Sequence, residues 1–130
     1  MRPYSLDTSF LIDVLDSEAS ARETMERLDE SDRPLGVTPI AAAELSVGAN
    51  LGTAAERRRA DELLDSLLWL DVPRRAARRA GEMQATLKRA GEPIPFTDCL
   101  IAGATEHHDG TLVTSDADFE RLDSLDVLVY

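Results

Sequence analysis

Four acidic residues, Asp7, Glu44, Asp98 and Asp116, occupy positions from which their carboxylates could be gathered into one cleft. Asp7 closes the short apolar run Pro3 to Leu6, and Asp116 follows the β-rich run Thr111 to Thr114. Glu44 interrupts the small, apolar stretch Ile40-Ala41-Ala42-Ala43-Glu44-Leu45, and Asp98 opens a helical pattern after Thr97. Carboxylates brought together raise one another's pKa unless a cation neutralises them. Mg²⁺ or Mn²⁺ is the natural cation, because it takes oxygen ligands, keeps several waters and accepts phosphate oxygens. Such a site suits phosphodiester hydrolysis without help from His or Cys. The same acids also have a purely structural reading. With 25 Asp and Glu in the chain some must fall at strand ends and helix starts. Asp98 is favourable near any helix N-terminus, Asp7 could hold a turn, and Glu44 could lie on an exposed helix face.

The elements that would position these acids alternate between strand and helix. Pro3 to Leu6 reads as a first strand, with Ser9 as a cap for a helix from Phe10. Ala21, Met25 and Leu28 sit at helical spacing in Ser20 to Asp29, before the break Ser31-Asp32-Arg33-Pro34. Leu35-Gly36-Val37 is a second strand, and Thr38 with Pro39 starts a helix that carries Glu44 one turn in. Leu63, Leu64, Leu67 and Leu68 give the next helix its apolar face, and a third strand is expected over Trp69 to Val72. Ala76, Ala80, Met83 and Leu87 predict a helix from Arg74 that ends before Gly91. Thr97 then caps a helix running to His107-His108-Asp109-Gly110. Thr111 to Thr114 and Val127 to Tyr130 are strands, with a short helical segment at Asp118 to Leu122 between them. This is an α/β pattern: one domain over residues 1–130, its mainly parallel central sheet flanked by helices on both faces. Sites in such sheets lie beyond the carboxyl ends of the strands, where Asp7, Glu44 and Asp116 all fall.

Composition narrows the function classes. The length of 130 residues suits one core. No run of about eighteen apolar residues exists to cross a bilayer, and the N-terminus lacks the apolar stretch of a secretory signal, so a cytoplasmic protein with no membrane association is expected. The lone Cys99 gives no support to disulfide or zinc chemistry and is expected to pack in the core. His107 and His108 are adjacent, so they point to different helix faces and do not chelate one metal; Trp69 is expected in the core. The net charge of −11, with Lys88 the only lysine, opposes a general nucleic-acid-binding surface. Any RNA contact must be local or metal-mediated. The candidate RNA-contacting cations are Arg57, Arg58, Arg59, Arg74, Arg75, Arg78 and Arg79, expected to flank the cleft; the alternative is a solvated helix face paired with Asp61, Glu62 or Glu82.

Four segments carry a resemblance to a known family. Ser5-Leu6-Asp7-Thr8-Ser9-Phe10-Leu11-Ile12-Asp13, Thr38-Pro39-Ile40-Ala41-Ala42-Ala43-Glu44-Leu45, Gly91 to Ala102 with its Asp98-Cys99-Leu100-Ile101-Ala102, and Thr111-Leu112-Val113-Thr114-Ser115-Asp116-Ala117-Asp118-Phe119 occur in order over nearly the whole chain. Together they resemble the PIN-domain ribonucleases, in particular the VapC toxins of prokaryotic toxin–antitoxin pairs. The resemblance implies that Asp7, Glu44, Asp98 and Asp116 bind Mg²⁺ or Mn²⁺ and activate water to cut single-stranded or looped RNA. Asp118 competes with Asp116 for the fourth place. Thr8, Ser9 and Thr114 would be polar support. The resemblance further implies a homodimer and a VapB-like antitoxin whose tail fills the acidic groove, an Arg from the partner suiting that charge. A housekeeping RNA-processing nuclease and a non-cutting PIN-like RNA- or protein-binding module are the alternatives. A response-regulator receiver would need paired acids after the first strand and a lysine after a late one, but Thr8 follows Asp7 and Lys88 sits mid-helix. An aspartate-nucleophile phosphatase would need an acid where Ser9 stands.

Carboxylate excess with almost no lysine resembles proteins of salt-loving microbes, where self-repulsion is screened within about 3 Å at 1 M salt. Dialysis into low salt is therefore expected to lower the melting temperature and weaken the far-UV circular dichroism. Identical melting curves at high and low salt would remove this reading.

Overall fold

A computed structural model describes residues 2–130. Its five strands are β1 (Tyr4–Leu6), β2 (Leu35–Val37), β3 (Leu68–Trp69), β4 (Thr111–Thr114) and β5 (Asp126–Val129). All pair in parallel, in the order β3-β2-β1-β4-β5. Helices α1 (Thr8–Leu15) and α2 (Ala19–Asp29) join β1 to β2, and α3 (Pro39–Leu51) and α4 (Ala54–Asp65) join β2 to β3. Helices α5 (Arg74–Arg89) and α6 (Phe96–His107) carry the chain back over the sheet to β4, and a 3₁₀ helix, Ala117–Arg121, leads to β5. The reversal of direction after β3, with the right-handed crossovers that parallel strands adopt, puts α1 to α4 on one face and α5 and α6 on the other. The core between them is built from Leu6, Phe10, Leu11, Val37, Ile101, Leu112, Val113 and Phe119.

Strand order explains where a site can form. The chain leaves β1 toward β2 on one side and returns to β4 on the other, so the connections diverge between β1 and β4. That divergence opens a crevice outside the carboxyl ends of these two strands. Asp7 follows β1 and Asp116 follows β4.

Several expectations of detail are corrected. Helix α1 begins at Thr8, so Ser9 lies inside it rather than at its cap, and Asp7 takes the cap position. Helix α6 begins at Phe96 after Pro95, whose fixed φ starts the helix, and Thr97 lies in its first turn without a capping role. The third strand is only Leu68–Trp69, at the sheet edge, and Trp69 is 52% exposed rather than in the core. Leu70 is the residue that turns inward: it lies so close over Gly36 that a Cβ there would stand 2.8 Å from Leu70 Cγ. Helix α4 starts at Ala54, ahead of the arginine run Arg57 to Arg59. Thr53 accepts from the Glu56 N–H at 3.1 Å while Glu56 reaches back to the Thr53 N–H, a reciprocal cap. Cys99 is fully buried, as expected.

Helices α5 and α6 run antiparallel in close contact, and Gly103 is what lets them approach. A Cβ at Gly103 would stand 2.7 Å from the Ala76 carbonyl oxygen, whereas one at Gly81 on the outer face of α5 would meet nothing within 4 Å. Gly103→Ala is therefore expected to destabilise the fold by about 1–3 kcal/mol. Gly81→Ala is expected to stabilise it by about 0.5–1 kcal/mol, because a helical glycine loses more backbone freedom on folding. Urea unfolding of the two variants checks the opposite signs.

Candidate active site

Asp7 is buried, and its N–H donates to the Val113 carbonyl at 3.0 Å, which ties the end of β1 to β4. Its Oδ2 accepts from the Thr114 hydroxyl at 2.7 Å and from the Ser9 hydroxyl at 3.1 Å. Both hydroxyls thus address one oxygen and leave the other without a hydroxyl donor. Burial raises the pKa of Asp7 above the usual value; bonds from Thr114, the Thr8 N–H and Ser9 oppose the rise, and the charge of Glu44 adds to it. Thr114 also accepts from the Asp116 N–H at 3.0 Å. One buried hydroxyl therefore sets both the Asp7 carboxylate and the backbone that carries Asp116.

Glu44 lies in the second turn of α3, whose start is fixed by Pro39 and by Thr38, the Thr38 hydroxyl accepting from the Ala41 N–H at 3.2 Å. It is exposed, so avoidance of a buried charge does not explain its place in an apolar run. The Thr8 hydroxyl donates to Glu44 Oε1 at 2.9 Å and turns the carboxylate toward α1.

Asp98, half-buried in the first turn of α6, senses every other acid of the group. Its carboxyl is raised to about 7, first by burial and then by the charges of Asp7, Glu44, Asp116 and Asp118 in that order. The last two differ in what else they do. Asp116 is half-buried and its Oδ1 accepts from the Asp118 N–H at 2.9 Å, whereas Asp118 is exposed and pairs with Arg121 at 3.1 Å. Among the described residues no Lys, Arg or His forms an ion pair with Asp7, Glu44, Asp98 or Asp116.

The arginines do not surround this cleft as a group. Arg59 lines an apolar groove of about 230 Å³ beside Glu44, between α1, α3 and α4, while Arg57 and Arg58 are exposed on α4. Arg74, Arg75, Arg78 and Arg79 sit at the start of α5, beside the carboxyl end of α6 and away from Asp98. Arg79 bonds Glu106, eight residues beyond Asp98, or about 12 Å along the helix. Of the acids named as alternative partners, only Glu82 forms an ion pair with any of these arginines, and its partner is Arg79.

Two features of the site escaped the sequence. The groove beside Glu44 is walled by Ile12 and Leu15 of α1 and Leu45 and Ala49 of α3, each pair at helical spacing. Tyr130 donates its hydroxyl to Asp13 Oδ2 and packs edge-on against Phe10 at 5.0 Å, while its N–H donates to the Thr114 carbonyl. It thereby joins α1 to the end of β4.

Residues 4–125 match the family model described as PIN domain. This chain belongs to the PIN-domain family. Within the family it is 32% identical to ribonuclease VapC10 of Mycobacterium tuberculosis, over 84% of this chain and 79% of that one. It is 29% identical to the tRNA(fMet)-specific endonuclease VapC of Shigella flexneri, over 96% of each. Two solved structures share the PIN fold: VapBC from Salmonella typhimurium bound to DNA (TM-score 0.83, 28% identity, 99% of this chain and 98% of that one) and VapBC2 from Rickettsia felis bound to a promoter DNA fragment (TM-score 0.87, 24% identity, 98% of each). In this PIN domain the matched region spans β1 to the residue before β5 and includes all four acids. No helix among the described residues is long and apolar enough to cross a membrane.

The charge repulsion in this PIN domain has a direct consequence for stability. The folded carboxyl of Asp98 holds its proton up to about 7, while the unfolded one releases it near 3.8. Between these values the folded state binds more protons, so its stability falls as pH rises through that window. In EDTA, Asp98→Asn is expected to raise the melting temperature at pH 8 and to change it little at pH 4. A scanning calorimetry series in which the variant shifts equally at both pH values would contradict this.

Proposed function

We propose that this chain is a Mg²⁺- or Mn²⁺-dependent endoribonuclease, the toxin of a VapBC-type pair acting in the cytoplasm. The observation that carries the reading is the set of four carboxylates at the crevice between β1 and β4, without a cationic partner among the described residues, with the pKa of Asp98 raised first by burial and then by the other acids.

The donor set fits a divalent cation that keeps much of its water. All four donors are hard oxygen groups, and Asp7 has one carboxylate oxygen free of hydroxyl donors. Among the described residues no three His, Cys, Asp or Glu stand close enough to enclose an ion by themselves, so water would have to complete the shell of any cation held here. Asp7, Asp98, Glu44 and Asp116 would hold it, with Asp118 left to Arg121. When bound, such a cation neutralises the carboxylates, lowers the pKa of water and stabilises charge on phosphate oxygens. The protein's own part is positioning. Thr114 and Ser9 hold the Asp7 carboxylate, Thr8 orients Glu44, and Thr114 sets the backbone of Asp116. A carboxyl titrating near neutrality, as that of Asp98 does, is suited to exchange a proton with water at working pH.

A VapB-like antitoxin fits the same surface. The groove walled by Ile12, Leu15, Leu45 and Ala49 would take an apolar side chain of its tail, and Glu44 at the rim would receive a basic one. The exposed Val47 and Leu51 on α3 are the residues we assign to a homodimer contact.

The test is cleavage of RNA, tRNA included, by the purified chain with Mn²⁺ or Mg²⁺. Addition of EDTA is expected to abolish cleavage, and Asp7→Asn or Asp98→Asn to lower kcat by about 100-fold or more, the scale of losing one preorganised charged group. Full cleavage in EDTA, or in both variants, would sink the mechanism. RNA binding without cleavage under every condition would favour the silent binding module instead.

A further inference from the structure

The first two turns of α5 concentrate positive charge in a chain that otherwise carries little of it. Four of the fourteen Lys and Arg fall within Arg74 to Arg79, in a molecule of net charge −11. Arg79 is satisfied internally: Nε donates to both Glu106 oxygens at 3.2 Å, and its other nitrogens reach Glu82 at 3.3 Å and Ser124 at 2.8 Å. Arg74, Arg75 and Arg78 are exposed, and among the described residues none of them forms an ion pair.

Their spacing works against the helix. Arg74 and Arg78, and Arg75 and Arg79, are four apart, and Arg75 and Arg78 are three apart, so neighbours on the helix surface carry like charge. No acid occupies the first turn, where cations are disfavoured by the helix dipole. On α4, Asp61 and Glu62 follow Arg57 to Arg59 at three and four residues; on α5 the one acid at such spacing, Glu82, pairs with Arg79. Glu82 and Glu106 offset the charge of Arg79, but among the described residues no acid pairs with Arg74, Arg75 or Arg78, and a polyanion bound from outside would relieve their repulsion. Arginine also matters by type, because its planar fork grips phosphate oxygens in pairs. The three free side chains line one shallow concavity with Arg79 and Glu82.

The position of this patch indicates which anion it serves. The acidic cleft repels phosphates unless a cation is present, and the arginines lie beyond the far end of α6 from Asp98. Resting on the ribonuclease reading above, we propose that Arg74, Arg75 and Arg78 anchor the phosphates of RNA substrate outside the cleft, so that long RNAs are held there and short ones are not.

The test uses the full chain and its Arg74→Gln/Arg75→Gln/Arg78→Gln variant, with fluorescence anisotropy of a tRNA-sized RNA and of a tetranucleotide in EDTA over a range of salt. For the long RNA the variant is expected to lose about tenfold or more in affinity, and the slope of log K against log salt to flatten by about 2, from three phosphate contacts at roughly 0.7 each. Tetranucleotide cleavage with Mn²⁺ and the melting temperature are expected not to fall. The triple lysine variant keeps the charge and is expected to keep the slope; each single Gln variant should flatten it by about 0.7, which gives a readout even if the triple variant folds poorly. Unchanged long-RNA affinity and slope would overturn the anchor, as would equal losses for both RNAs. So would a variant that binds RNA normally but loses an acidic protein partner. If the unmodified chain cuts no RNA, the ribonuclease reading fails instead, a result separable from the variant comparison.

Discussion

The carboxyls of Asp7, Glu44, Asp98 and Asp116 repel one another at the carboxyl end of the sheet, and no cationic side chain among the described residues pairs with them. What the fold provides is restraint. The Thr114 hydroxyl bonds Asp7 and receives the Asp116 N–H, Ser9 holds the same Asp7 oxygen, and Thr8 reaches across to Glu44. Each bond fixes a carboxylate or the backbone that carries one. On the proposed reading, a divalent cation bound here would relieve that repulsion and would stabilise the folded chain.

This restraint depends on topology. Adjacent parallel strands β1 and β4 end at the same level, so residues 107 apart in sequence meet within hydrogen-bond distance. Glu44 and Asp98 approach from helices on opposite faces of the sheet, each held at its first turns by a defined start: Thr38 and Pro39 for α3, Pro95 for α6. Tyr130 closes the frame from the other side by joining Asp13 of α1 to the end of β4.

Much of this was legible in the residues. Apolar periodicity located α2 and α5, and capping residues and helix formers located α1, α3 and α6; the mainly parallel sheet with helices on both faces followed from alternation, whereas Leu67 and Leu68, read as part of the fourth helix, lie beyond its end at Asp65. The misses have physical causes. Trp69 reads as core by type, but a two-residue edge strand has no second layer to bury it, and Leu70 fills the space over Gly36 instead. Ser9 and Thr97 look like caps because capping residues are recognised by type, yet Pro95 and the engaged Asp7 start those helices. Nearness to the strand end favours Asp116 over Asp118 from sequence, but the ion pair of Asp118 with Arg121 was not legible there, and the separation of the α5 arginines from the cleft required the antiparallel packing of α5 on α6. Neither is a property of spacing, since both arise from contacts between segments.

Proton release on metal loading addresses the central claim most directly. Calorimetric titration of the apo chain with Mn²⁺ in buffers of different ionisation enthalpy counts the protons displaced. At pH 6.5, below the Asp98 value of about 7, binding should expel most of one proton; at pH 8.5 the release should vanish, and Asp98→Asn should remove the release seen at pH 6.5. Tight binding with no proton release at pH 6.5, or no binding at all, would contradict a site built on mutually repelling carboxyls.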